Sequence, residues 1–251
     1  KYLMSKKRLI GVVTVKDHIA VQSFGYKRYY PLGKPEILIK NLDAWGADEI
    51  LVNLIDRSTT NKGPDFNLIK KIASLKITTP IIYGGGISSI KEAVEVIKLG
   101  ADRILIESIL NKDIEKLIEI SNKLGSQAII LSLPVNIKQG KINQFNYLNN
   151  KSTNISYKIV NLFNKKLISE ILLSDVVNEG QKNSFNLKIL KHFKKFNIPT
   201  IVFGGIGSKE LIKEGLKYSF ISAIAVGNSL NYQEDTIFKL KNSLTRKYFR
   251  Y

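Results

Sequence analysis

Short runs of aliphatic and β-branched residues alternate along the whole chain with stretches whose apolar positions recur every three or four residues. The runs RLIGVVTV, EILVNLI, PIIYG, RILIE, AIILSL, EILLSDV, TIVFG and AIAVG are short and bounded by turn-forming residues, so they read as strands. Between them, residues 36–45, 66–75, 90–99, 114–124, 157–163, 185–196, 209–216 and 234–244 carry one apolar stripe with Lys on the opposite face, the pattern of amphipathic helices. Eight such units in 251 residues fit a (β/α)8 barrel. An open doubly wound sheet shares the alternation but usually has fewer strands at this length.

An internal repeat separates the two. FNLIKKIASLKITTPIIYGGGISS, starting at Phe66, matches FNLKILKHFKKFNIPTIVFGGIGS, starting at Phe185. EILVNLIDR from Glu49 echoes EILLSDVVN from Glu170, and DRILIESIL from Asp102 echoes SAIAVGNSL from Ser222. The offset is about 120 residues, far too long for a solenoid and close to half the chain. The expectation is an α/β TIM barrel forming one domain over 1–251, from half-barrels at about 7–124 and 125–244, with a basic tail at 245–251.

Composition changes this picture little. Lys and Arg total 39 against 21 acidic residues, a formal charge of +18. The lysines are spread over helix faces such as NLIKKIASLK, so the charge reads as a solvated surface rather than a nucleic-acid site. Only KLKNSLTRKYFRY at the end concentrates basic and aromatic residues. There is no cysteine, which excludes disulfides and thiol nucleophiles. No apolar run nears the roughly 18 residues of a membrane span. The first ten residues lead into a strand rather than a secretion-signal core, so a cytoplasmic protein is expected.

Candidate chemistry gathers at strand ends. YGGGIS and FGGIGS each follow a strand and precede a helix, where glycine lets the backbone approach a phosphate and the helix presents free N–H groups. Gly85, Gly86, Gly204 and Gly205 are therefore phosphate candidates, joined by Gly227 and Asn228 of VGNSL. The alternative for the glycines is a tight turn at positive φ. In the first half Glu107 stands where Gly227 stands in the second, and a carboxylate there repels phosphate, so the second site is the better one. Arg8, Glu49, Arg103 and Glu170 open strands one, two, four and six, where two cations and two anions could pair across the barrel floor, or serve stability alone. The stretch KDHIAVQSFGYKRYYPLGKP is long for a βα connection and reads as a lid or binding loop. Its Lys27, Arg28, Tyr26, Tyr29 and Tyr30 suit an anionic ligand or a protein edge. His18, with no carboxylate partner fixed by spacing, reads as a surface residue.

The paired halves, the VKD turn, the two GG turns and GSQAIILSL resemble the cyclase subunit of imidazole glycerol phosphate synthase, from about Lys7 to Leu244. The resemblance implies a barrel with two phosphate sites, no cofactor or metal, and ammonia delivered through the barrel from a glutaminase subunit at its N-terminal face. The family's two catalytic aspartates fall on Thr14 and Pro134, and its first-loop lysine falls on Gln22. None of these can act as a carboxylate acid or base. Asp17, Asp56 and Asp175 remain as catalytic candidates, with Glu179 beyond. The family's ammonia gate falls on Arg8, Glu49, Arg103 and Glu170, and its glutaminase contact on Asp102. The loop from Val13 to Glu36 is similar to relatives that supply ammonia for amidine formation in surface-sugar biosynthesis.

The leading expectation is thus a cyclase-like barrel acting with a glutaminase on an anionic or phosphorylated metabolite. The alternatives are a histidine-pathway cyclase with displaced acid–base groups, a non-catalytic ammonia-channelling scaffold, and an RNA-binding role for the tail.

Overall fold

The computed structural model describes residues 6–107, 109, 113–155, 158–232, 234–244 and 248–249. Eight parallel strands close into a barrel: β1 (Arg8–Lys16), β4 (Glu49–Leu54), β5 (Ile81–Gly84), β6 (Arg103–Ile106), β7 (Ile129–Lys138), β10 (Glu170–Asp175), β11 (Thr200–Phe203) and β12 (Ile221–Val226). Neighbours pair in that order, and β12 returns to β1, with Arg8 opposite Ala223. Eight helices alternate with them among the described residues: α1 (Pro35–Ala44), α2 (Phe66–Ser74), α3 (Ile90–Lys98), α4 (Ile114–Leu124), α5 (Lys158–Asn164), α6 (Lys188–Phe193), α7 (Lys209–Leu216) and α8 (Thr236–Ser243). The fold is a (β/α)8 TIM barrel. No helix among the described residues is long and apolar enough to cross a membrane.

The period of two in each strand sorts its side chains between two cores. On β1, Leu9, Val13 and Val15 face the helices, while Ile10 and Val12 point into the barrel with Leu51, Ile82, Leu105, Ile130, Leu172 and Ile201. Gly11 lies on the helix side, and a Cβ there would come within 2.8 Å of the Leu42 side chain. The strand sequences read as continuous apolar runs because both faces are buried.

Four further strands were not anticipated. The long first loop is a hairpin, β2 (Ile19–Phe24) and β3 (Arg28–Gly33), continuing antiparallel from β1. Asp17 and His18, at φ of 48° and 63°, form the two-residue turn into it. A second hairpin, β8 (Lys141–Asn146) and β9 (Lys151–Asn154), continues antiparallel from β7 through Gln139 and Gly140, also at positive φ. Strand β7 therefore runs five residues past the expected end at Leu133. Pro134 is tolerated inside it because pairing with β6 ends at Leu131 and pairing with β8 begins at Val135.

The expected helix 185–196 is shorter, α6 being followed by a 3-10 turn at Lys194–Phe196. The expected helix start at Tyr157 lies outside the described residues, as do residues 1–5 and most of the tail. Of the tail, Tyr248 and Phe249 are described. The Lys7 N–H donates to the Tyr248 carbonyl at 2.6 Å, and Phe249 is fully buried, unable to stack on a base.

Candidate functional site

The barrel floor is one closed ring of charge. Arg8 pairs with Glu49 at 2.7 Å and with Glu170, while Arg103 pairs with Glu49 at 3.2 Å and Glu170 at 2.7 Å. Each side chain opens its strand on the inward side and is no more than 15% exposed. Ser222 donates to Glu170, and Ser169 accepts from Arg103 at 2.7 Å. Burial pushes the Glu49 carboxyl above its usual range despite both arginines. Burial opposes ionisation of Glu170 too, but Arg8, Arg103 and the Ser222 hydroxyl outweigh it and hold that carboxyl lower. Asp102 lies exposed on the same face, its carboxylate accepting from the Ile81 N–H at 2.7 Å.

At the opposite mouth the two glycine turns open into different cavities. The first, about 390 Å³, is lined by Gly85 and Gly86, by Glu107 and Ser132, and by Asp17 and Asp56. Among the described residues its only cation is Lys16, which is paired with Asp17 at 2.7 Å. The second, about 720 Å³, is lined by Gly204, Gly205, Gly207, Gly227, Lys182 and Lys239. Its one carboxylate among the described residues, Glu179, is turned away into the protein: it accepts from the Ser23 hydroxyl and the Tyr26 N–H, both at 3.0 Å. The electrostatics of the second cavity suit an anion and those of the first do not.

Close packing is a further reason for the glycines. A Cβ on Gly86 would lie 2.3 Å from the Gly63 carbonyl oxygen, and one on Gly204 2.6 Å from that of Asp175. Both turns also sit at positive φ. Asn228 holds the first hairpin: its side-chain amide donates to the Ser23 carbonyl at 2.7 Å, and its side-chain oxygen accepts from the Ser23 N–H at 3.3 Å.

The three candidate aspartates are not gathered together. Asp17 and Asp56 meet at the rim of the first cavity, where the Asp17 N–H donates to Asp56 at 3.2 Å. The Asp17 side chain is 62% exposed, and its hydrogen bond with Lys16 lowers its pKa. Asp175 is buried outside both cavities and organises its own loop, accepting from Asn178 at 2.8 Å and the Asn186 N–H at 3.0 Å. Thr14 lines the second cavity and Pro134 the first, so the positions the resemblance assigns to carboxylates do face the mouth. Lys27 and Arg28 line neither, and Arg28 stacks 5.0 Å from the Phe24 ring.

Three features escaped sequence reasoning. His18 does have a carboxylate partner, Asp65, at 2.8 Å, brought from 47 residues away. The hairpins meet over the first cavity through Tyr26 and Tyr147, ring centroids 5.0 Å apart. Beneath them Glu107 accepts a hydrogen bond from Ser132 at 2.7 Å, and burial pushes its carboxyl up to about 7. The carboxylate was visible at its strand end in the sequence. Its partial burial was not, because the roof comes from loops far along the chain.

Residues 8–236 of the chain match the model of the family described as "Histidine biosynthesis protein". The chain belongs to that family. It is 29% identical over 243 residues to the putative imidazole glycerol phosphate synthase subunit hisF2 of Vibrio vulnificus, covering 95% of this chain and 88% of that protein. It is 28% identical to the putative subunit hisF2 of Campylobacter jejuni, covering 98% of both. Subunit HisF of Staphylococcus saprophyticus is also 28% identical, over 97% of this chain and 98% of that one. Within the family this chain is HisF-like.

Proposed function

We propose that this chain is the ammonia-accepting subunit of a glutamine-dependent synthase. A glutaminase-type partner docks on the N-terminal face beside Asp102, and ammonia passes through the barrel to an anionic or phosphorylated metabolite at the mouth. The observation that carries this reading is the intact floor ring of Arg8, Glu49, Arg103 and Glu170, retained where Thr14 and Pro134 have replaced carboxylates. Stability alone is a weak reason for such a ring, since buried ion pairs are often no better than apolar packing. A gate that parts and re-forms uses all four members.

The anionic group of the metabolite sits in the second cavity, on the backbone of Gly204, Gly205 and Gly227 with Lys182 and Lys239 beside it. Thr14 and Pro134 argue against the histidine-pathway ring closure and cleavage, because general acid–base help is typically worth about 10²–10⁴ in rate. The product on this reading is an aminated or amidinated metabolite, in keeping with the surface-sugar branch, made in the cytoplasm.

Two measurements test the reading. Purified chain given ammonium and the histidine-pathway precursor should not turn it over; rapid turnover lost in Asp17→Asn would favour the histidine-pathway cyclase instead. A glutaminase-type chain of the same organism should co-purify with the wild type and with Asp102→Asn, but not with Asp102→Arg. Binding by neither folded protein would leave the ring as a stability feature.

A further inference from the structure

We infer that Glu107 is the proton acceptor when ammonia attacks an electrophilic carbon in the first cavity, in place of the carboxylates absent at Thr14 and Pro134. The inference rests on the proposed delivery of ammonia through the barrel and assigns its end point. Leu105, two residues before Glu107 on the same inward-facing side, belongs to the apolar interior with Ile82, Ile130 and Leu172. A small neutral molecule that passes the floor ring and this layer meets Glu107 and Ser132 next, at the base of the cavity.

The site is built to receive a polar group. Ser132 fixes one carboxyl oxygen of Glu107 at 2.7 Å. The Tyr147 hydroxyl in the cavity wall is buried with no hydrogen-bond partner among the described residues. Such a group is costly to bury unless something satisfies it, so its presence argues for a ligand with a polar atom there. Among the described residues, the other ionisable groups lining the cavity are Tyr26 and Tyr29 of the first hairpin, Tyr147 of the second, Lys16 and Asp17 at the end of β1, and Asp56, with Glu179 behind Tyr26. Asp17 and Asp56 lie at the rim, and Lys16 is neutralised by Asp17. Glu107 is thus the carboxyl best able to hold a proton, and burial raises it to about 7, where a general base works best near neutral pH.

The step balances without a cofactor. The ammonia lone pair forms the C–N bond, and the nitrogen becomes positively charged. One N–H bond breaks and its proton passes to Glu107. The leaving group departs with the electron pair of its bond to carbon and takes that proton, returning Glu107 to its starting state. Ser58, Thr59, Thr60 and Ser174 along the wall suit a hydroxylated, uncharged region of the metabolite around the reacting carbon.

The test uses ammonium itself as the probe, on the isolated full chain. In protein carrying ¹³C-labelled glutamate carboxyls, the resonance lost in Glu107→Gln belongs to Glu107. If that variant does not fold, the resonance moved most by Ser132→Ala identifies it. The expected result is a titration near neutral pH whose midpoint falls in ammonium chloride but not in equal sodium chloride. A midpoint in the ordinary glutamate range, or no difference between the salts, overturns the inference. The experiment needs no partner, so ammonium sensing by Glu107 in a chain that binds no glutaminase would fault the delivery route alone. Glutaminase binding with a silent Glu107 would fault this inference alone.

Discussion

Glu107 makes stability depend on pH, in the same direction as the raised carboxyls of Glu49 and Glu179. Its folded carboxyl titrates at about 7 against an ordinary 4.5, so between these values the folded chain holds a proton that the unfolded chain has released. Stability from this group is therefore complete below about 4.5 and declines as pH rises through 7. Glu107→Gln should flatten that slope, leaving only the part due to Glu49 and Glu179, and melting curves at pH 5, 6 and 8 for both proteins check it. The floor ring responds differently to mutation. Arg8→Ala leaves two buried carboxylates sharing Arg103, a loss of about 3–5 kcal/mol in denaturant titration. At this scale the sequence was informative for the ring, because the first residue of a barrel strand has a fixed height and an inward side chain. It was misleading for Asp175, whose carboxylate is consumed by loop N–H groups. It was silent on His18 and Asp65, which only the folded chain brings together.

The two hairpins set the shape of the mouth, and each is tied to the barrel by a small number of contacts. Gly180 shows how close the first one comes: a Cβ there would lie 1.8 Å from the Ser23 carbonyl oxygen. Gly180→Ala should displace the hairpin and quicken amide exchange from Ser23 to Tyr26, with little change in the β10–β11 ladder. Asn228→Ala removes both links to Ser23 and should act the same way more mildly. The glycine turns differ in their surroundings, so inorganic phosphate should shift the amide resonances of Gly205, Gly207 and Gly227 and leave those of Gly85 and Gly86 in place. Equal shifts at both turns would remove the distinction drawn from Lys182 and Lys239. Strand–helix alternation was legible because periods of two and 3.6 differ plainly. The second hairpin was not recognised, although Gln139-Gly140 between polar-alternating residues is a two-residue turn signal. Pro134 disguised it by suggesting that the strand had ended.

For the molecule as a whole, the repeat was the decisive signal, since eight strand–helix units with symmetric glycine turns leave few closed arrangements. The roof over Glu107 was beyond reach for the converse reason: Tyr26 and Tyr147 come from hairpins on strands four places apart around the barrel, and nothing local relates them. The outcome is a barrel with a charged ring at one end, an apolar interior, and a half-buried carboxyl under two tyrosines at the other. On the proposed function, a partner engages one face and the metabolite the other. Amide exchange of this chain alone and with a glutaminase-type chain of the same organism tests that most directly. The account predicts slowed exchange in the floor loops at 46–48 and 100–102, with the hairpin tips at 25–27 and 147–150 unchanged. Protection at the hairpin tips with the floor loops unaffected would contradict it.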